Sequence, residues 1–149
     1  MNIAKLLYPL EDPAMADFVN NLDLINGLAD TSEGFIWRLA GEGNNATGNI
    51  IYNDPTLLVN MSVWVTIDSL FRYTYRTDHL EFFRRRKEWF GRMESAHMAL
   101  WYVPAGHIPA ISEAQERLTH LRDHGDTPFA FSFKRKFTPA EADDFMRLD

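Results

Sequence analysis

Apolar and polar positions alternate in two ways along this chain. Leu57 to Trp64 is the clearest strand, its side chains falling alternately on two faces. Asn2 to Tyr8, Phe35 to Leu39 and Met98 to Val103 read as further strands, and Phe129 to Phe133 as a last short one. Between the first two, Met15, Phe18, Val19, Leu22, Ile25 and Ala29 recur at helical spacing, with Asp12 as cap and Pro13 in the first helical position. A short helix is expected from about Ile67, capped by Thr66, and a second helical stretch from Asp78 to Phe90. Ser112 and Gln115 form a capping-box pattern for a helix that Gly125 stops, and Thr138, Pro139 and Glu141 announce a small peripheral helix. Gly41 to Gly48 reads as a turn-rich, flexible loop.

The order strand, helix, strand, strand, helices, strand is that of a ferredoxin-like split βαβ unit, here with a C-terminal helix–strand extension. The fold class is α+β. In such a sheet the helices lie on one face, so the alternation must say what covers the other. On the third strand Leu57, Val59, Met61 and Val63 oppose Leu58, Asn60, Ser62 and Trp64. On the fourth, Ala99, Trp101 and Val103 oppose Met98, Leu100 and Tyr102. Neither set is charged, whereas a half-solvated sheet carries polar residues on one side. Both faces are therefore expected to be covered, one by helices and one by a second copy in a homodimer. The alternative is that the C-terminal extension covers the open face within one chain.

Composition narrows the picture. A chain of 149 residues fits one domain, taken as residues 1–149 with a peripheral tail from about residue 138. With 46% apolar residues it can bury a core unaided. The absence of cysteine excludes disulfides, thiolate metal sites and thiol nucleophiles. A net charge of −6 argues against nucleic acid as partner. No stretch has signal-peptide character or the length of a membrane span, so a cytoplasmic protein is expected.

The segment Asp78 to Phe90 (DHLEFFRRRKEWF) carries the most chemistry. At 100° per residue His79, Phe82, Phe83, Arg86 and Phe90 share one face, with Glu81, Arg84 and Glu88 opposite, where Arg84 and Glu88 can pair. His79 is the candidate acid or base, and Arg86 suits a carboxylate, phosphate or enolate oxygen. Each also has a structural reading: His79 bridging the two helical stretches, Arg86 reaching to water along its stem. Asn60, Ser62 and Trp64 lie together on a covered face, where polar groups need partners, from a ligand or from neighbours such as Asn2. Trp37, Trp64, Trp89 and Trp101 supply aromatic surface for a flat ligand or for the core. His120 and His124 have metal-ligand spacing but lack a third ligand, so no metal is expected.

The segments NMSVWVTIDSLFRYTYRTDHLEFFRRRKEWF, LWYVPAGHIP and EAQERLTHLRDHGDTPFAFSF, with the opening NIAKL, resemble an uncharacterised bacterial family, domain of unknown function 3291, over about Asn2 to Phe137. That resemblance implies the dimeric α/β-barrel superfamily, in which two ferredoxin-like subunits join their open sheet faces. It also implies a ligand cavity between sheet and helices, with Asn2, Asn60, Ser62, Trp64, His79 and Arg86 as pocket candidates; Trp89 joins them as an aromatic wall. Functions implied are a cofactor-independent monooxygenase-like or isomerase-like enzyme acting on a small aromatic or enolisable compound, or a non-catalytic, stress-related small-ligand module. Haem binding through His79 is the further alternative, since haem-degrading members use a first-strand asparagine and a histidine, matched nearest by Asn2 and His79. Otherwise no cofactor is expected.

Overall fold

The computed structural model describes residues 1–41, 47–76 and 79–148, apart from the side chains of Arg76 and His79. Strand β1 (Asn2–Leu6) is central. On one side it pairs antiparallel with β3 (Leu57–Asn60), placing Asn2 opposite Asn60 and Ala4 opposite Leu58. On the other it pairs with β5 (Phe90–Gly91) through Lys5 and Leu6, and with Met98 through Asn2. Strand β2 (Phe35–Arg38) pairs antiparallel with β4 (Ser62–Trp64). Only Met61 separates β3 from β4, and its carbonyl accepts from Leu39 N at 2.7 Å. The strand expected from Leu57 to Trp64 therefore breaks once, where it leaves β1 for β2.

Two expected strands shrink to isolated bridges. Ala99 N donates to Met1 O at the far end of β1, and Leu100 then pairs with Phe131 instead. Met98 to Val103 and Phe129 to Phe133 thus hold one another with single bridges rather than a ladder.

The helices follow their capping chemistry. Asp12 accepts from Ala14 N at 2.8 Å, starting a 3₁₀ turn (Pro13–Met15) that leads into α1 (Ala16–Asn20) and α2 (Leu22–Asp30). The single stripe expected there is interrupted at Asn21, whose side-chain amide donates to Asp17 O. Thr66 Oγ1 accepts from Ser69 N at the start of α3 (Ile67–Arg76). Gly34, at φ +82°, packs so closely on Ser69 that a Cβ would fall 2.4 Å from its hydroxyl, so a side chain is excluded there.

The helix expected over Asp78 to Phe90 ends early. α4 spans His79–Arg84, a 3₁₀ turn follows at Arg86–Glu88, and Phe90 and Gly91 join the sheet as β5. The expected Arg84–Glu88 pair is accordingly replaced by Arg85, which reaches Glu88 at 2.6 Å and Asp17 at 2.9 Å. α5 (Ile111–His124) begins one residue before its expected capping box. Gln115 Oε1 accepts from Tyr52 N instead, and Gly125, at φ +73°, ends the helix as expected. The Thr138–Glu141 capping box does form at α6 (Pro139–Leu148), of which Ala142 is buried. Of the loop expected over Gly41 to Gly48, residues 42–46 lie outside the described residues.

These elements place a helix of the same chain against the sheet. Ile3, Val59 and Ala99 pack with Leu118 and Leu121 of α5, together with Ile51 and Ala130, into the main core. Fully burying each of the isoleucine, valine and leucine side chains contributes about 1.5–3 kcal/mol. The face expected to await a second copy thus carries α5, from the chain's own C-terminal extension, the alternative drawn from the alternation pattern. On the opposite face Ala4 and Leu58 are half-buried while Asn2 and Asn60 are exposed. That face is roofed by α1, α2 and α4 but not filled by them.

Candidate functional site

The gap between sheet and roof is a cavity of about 710 Å³, within the usual range for small-molecule sites. Its floor is the mixed face of the sheet: Asn2 and Ala4 from β1, Leu58 and Asn60 from β3. Because Asn2 and Asn60 are cross-strand partners, their side chains emerge side by side on this face. The roof is apolar, made by Phe18, Leu22 and Ile25 from α1 and α2 and by Phe82 and Phe83 from α4.

Trp89 fixes one end of the roof. It is 2% exposed and lies 5.6 Å from Phe18 and 6.0 Å from Phe82, nearly parallel to the latter at 22°. Phe90 meets Phe18 edge-on at 5.2 Å. Such offset and edge contacts hold aromatic rings in defined orientations. The wall they form is therefore set before any ligand arrives.

Polar groups gather around the rest. Arg86, Lys87, Arg92 and His97 all line the cavity, together with Asn26 and Thr47. Arg86 Nη1 donates to Phe83 O at 2.9 Å, and its guanidinium lies 4.3 Å from the Phe83 ring centre. This stacking leaves the remaining guanidinium N–H groups available to an acceptor.

Of the residues singled out from the sequence, Asn2, Asn60, Arg86 and Trp89 meet at this cavity. Ser62 and Trp64 do not line it. Trp64 Nε1 donates to Ser62 Oγ at 2.8 Å, and its ring stacks on Tyr73 at 5.1 Å and meets Phe35 edge-on. The break at Met61 explains this: past it the strand follows β2, so the alternation that joins Asn60 to Ser62 no longer holds in space. The His79 side chain lies outside the described residues. Its backbone opens α4, and of the face it was grouped with, Phe82, Phe83, Arg86 and Phe90 do line the cavity.

Sequence reasoning missed Phe18, Arg92 and His97 as site residues. Phe18 was legible as a helix-stripe position. Arg92 and His97 flank the short connection between β5 and Met98, which no periodicity marks.

A second, shallower hollow of about 520 Å³ lies at the start of α5. There Glu113 receives Trp101 Nε1 at 2.9 Å and faces His107 Nε2 at 2.7 Å. Arg117, one turn on, donates to Phe129 O, and its burial lowers its pKa. The His120 and His124 rings lie 4.4 Å apart and are tilted by 32°, and His120 Nε2 lies 2.9 Å from Thr127 Oγ1. Among the described residues no three His, Cys, Asp or Glu side chains cluster as metal ligands. No described helix is long and apolar enough to cross a membrane.

The family model described as "Domain of unknown function (DUF3291)" matches residues 1–147, and the chain belongs to that family. No curated protein and no solved structure matches it.

Proposed function

We propose that this DUF3291 protein binds a small, largely apolar and partly aromatic molecule in the cavity between its sheet and its helices. The observation that carries the reading is the pre-set aromatic wall of Trp89, Phe82 and Phe18 facing the Asn2–Asn60 pair across an open space. An apolar enclosure with a few convergent polar groups is the usual form of a ligand site. The β5–β1–β3 sheet, extended by Met98 and continued through the chain at Met61 into the separate β4–β2 pair, supports a ferredoxin-like split βαβ as the frame. A dimeric α/β barrel would need a free sheet face, and α5 lies on that face. We therefore read the site as complete within one chain.

The test is fluorescence titration with the neutral probe N-phenyl-1-naphthylamine. Saturable binding at one site per chain is expected, with loss in Ala4→Trp, which fills the floor, provided circular dichroism shows that variant folded. No saturable binding, or equal binding to a folded Ala4→Trp, overturns the reading.

The position of His97 favours a catalytic extension. An imidazole at the cavity wall suits removal of a C–H proton from an enolisable compound, and the two asparagine amides suit the resulting oxyanion. In a cofactor-independent oxygenation the carbanion passes an electron to dioxygen and the two radicals join as a peroxide. The peroxide is protonated, and removal of the second proton from the same carbon as the O–O bond breaks leaves one oxygen as a carbonyl and releases the other as water. His79, the acid or base expected from the sequence, is the second candidate for the role. Oxygen uptake with anthrone should exceed the uncatalysed rate and fall in His97→Ala or His79→Ala. No uptake above background leaves binding alone.

A further inference from the structure

We infer that the cavity selects organic anions: its ligand has an apolar body and a carboxylate or other anionic head. The inference rests on the ligand-binding reading above and adds the charge of what binds. Its basis is how the cations are distributed. The chain as a whole is acidic, at −6. Yet the charged side chains that line the cavity among the described residues are Arg86, Lys87 and Arg92, all basic, with His97 beside them.

The cavity's cations are among those without a carboxylate partner, as are Arg72, Arg84, Arg122, Lys134 and Arg135 among the described residues, whereas six others are paired. Lys5, Arg38, Arg85, Arg117, Lys136 and Arg147 each lie within 4.0 Å of an aspartate or glutamate. Arg86, Lys87 and Arg92 have no carboxylate partner among the described residues. The contrast is sharpest between neighbours. Arg85 turns away from the cavity to Glu88 and Asp17, while Arg86 turns toward it and rests on the Phe83 ring. A guanidinium held over a ring, with one N–H on a backbone carbonyl, has its remaining N–H groups for a planar anion. The floor asparagines supply neutral donors, and no described acidic group stands at the wall to repel the head.

A cluster of unneutralised cations beside an apolar enclosure raises the local potential and draws anions in. A neutral ligand would leave those charges unused. A cationic ligand would meet repulsion.

The test compares two probes that share one aromatic body. These are 8-anilinonaphthalene-1-sulfonate, which is anionic, and N-phenyl-1-naphthylamine, which is neutral. Both are titrated into the wild-type protein and into the double variant Arg86→Gln/Arg92→Gln. The expected result is tighter binding of the sulfonate by the wild type and a loss of roughly tenfold or more in the double variant, as for lost hydrogen bonds to a charged group. The neutral probe should lose far less affinity than the sulfonate in the double variant, and an equal loss of both overturns the anion inference. Raising salt to about 1 M should weaken the sulfonate alone, because screening then acts over about 3 Å. Both substitutions are at surface-accessible positions, and circular dichroism verifies the fold. If both probes bind and neither responds to the double variant, the anion inference is overturned while the cavity reading stands. If neither probe binds saturably, both fail.

Discussion

Replacing Trp89 by alanine probes the cavity wall and the core at once. The indole is 2% exposed and touches Phe18, Phe82 and Phe90, with the Arg85 guanidinium 4.8 Å above it. Truncating a buried tryptophan costs about 3–5 kcal/mol, the size of the loss depending on how far the site collapses. Collapse is restricted here, because the backbone around Trp89 is tied on both sides. Its carbonyl accepts from Leu7 N at 2.9 Å and its N–H reaches Arg86 O. The neighbouring space is already open, so the void merges with the cavity and admits water. We expect about 4 kcal/mol of destabilisation, which for a chain of this size lowers the melting temperature by roughly 8–16 °C. Trp89→Phe keeps an aromatic ring and should lose about 1–2 kcal/mol. Urea unfolding followed by far-UV circular dichroism gives both values, and the slope of the transition checks that the unfolded state is unchanged. A Trp89→Ala protein within about 1 kcal/mol of wild type, binding N-phenyl-1-naphthylamine unaltered, would refute the assignment of Trp89 as a packed wall.

Three other outcomes follow from the structure. Leu118→Ala, at a side chain with 0% exposure between α5 and the sheet, should cost about 2–5 kcal/mol in the same assay; a loss under about 1 kcal/mol would mean that α5 does not cover that face. Light scattering at micromolar concentration should return the mass of a single chain, since α5 occupies the sheet face on which a barrel dimer would form; a dimer that dissociates when Leu118 is mutated would contradict this. Burial pushes the Tyr73 phenol up to about 12, so the native state keeps a proton that the unfolded chain releases near pH 10. The resulting stability is fully present below pH 10 and is lost as pH rises toward 12, on the order of 2 kcal/mol. Tyr73→Phe should flatten that alkaline decline in pH-dependent melting, and an unchanged profile would contradict the assignment.

Local chemistry made much of this fold legible. The Asp12, Thr66 and Thr138 caps and the Gly125 stop each act within a few residues, so sequence spacing is enough to read them. The helical face carrying Phe82, Phe83 and Arg86 also survives into the site, because one turn of α4 already sets its direction. What could not be read depends on partners far along the chain. Whether Asn60 and Ser62 stay on one face turns on Met61, where pairing switches from β1 to β2. Whether Phe90 ends a helix or starts a strand turns on an edge of β1 that is free to accept it. The apolar face of β1 and β3 looked the same whether a second copy or α5 covers it, because burial, not the source of the cover, sets the pattern. His97 and Arg92 reach the cavity through tertiary placement alone.

A crystal structure of the protein grown with 1-naphthylacetate bears most directly on the claim that the hollow beneath the helices is a binding site. The account predicts the naphthyl ring between Phe83 and the Asn2–Asn60 floor, with the carboxylate about 2.7–2.9 Å from an Arg86 nitrogen. A hollow closed by its own side chains, or the compound bound elsewhere with this space empty, would contradict it.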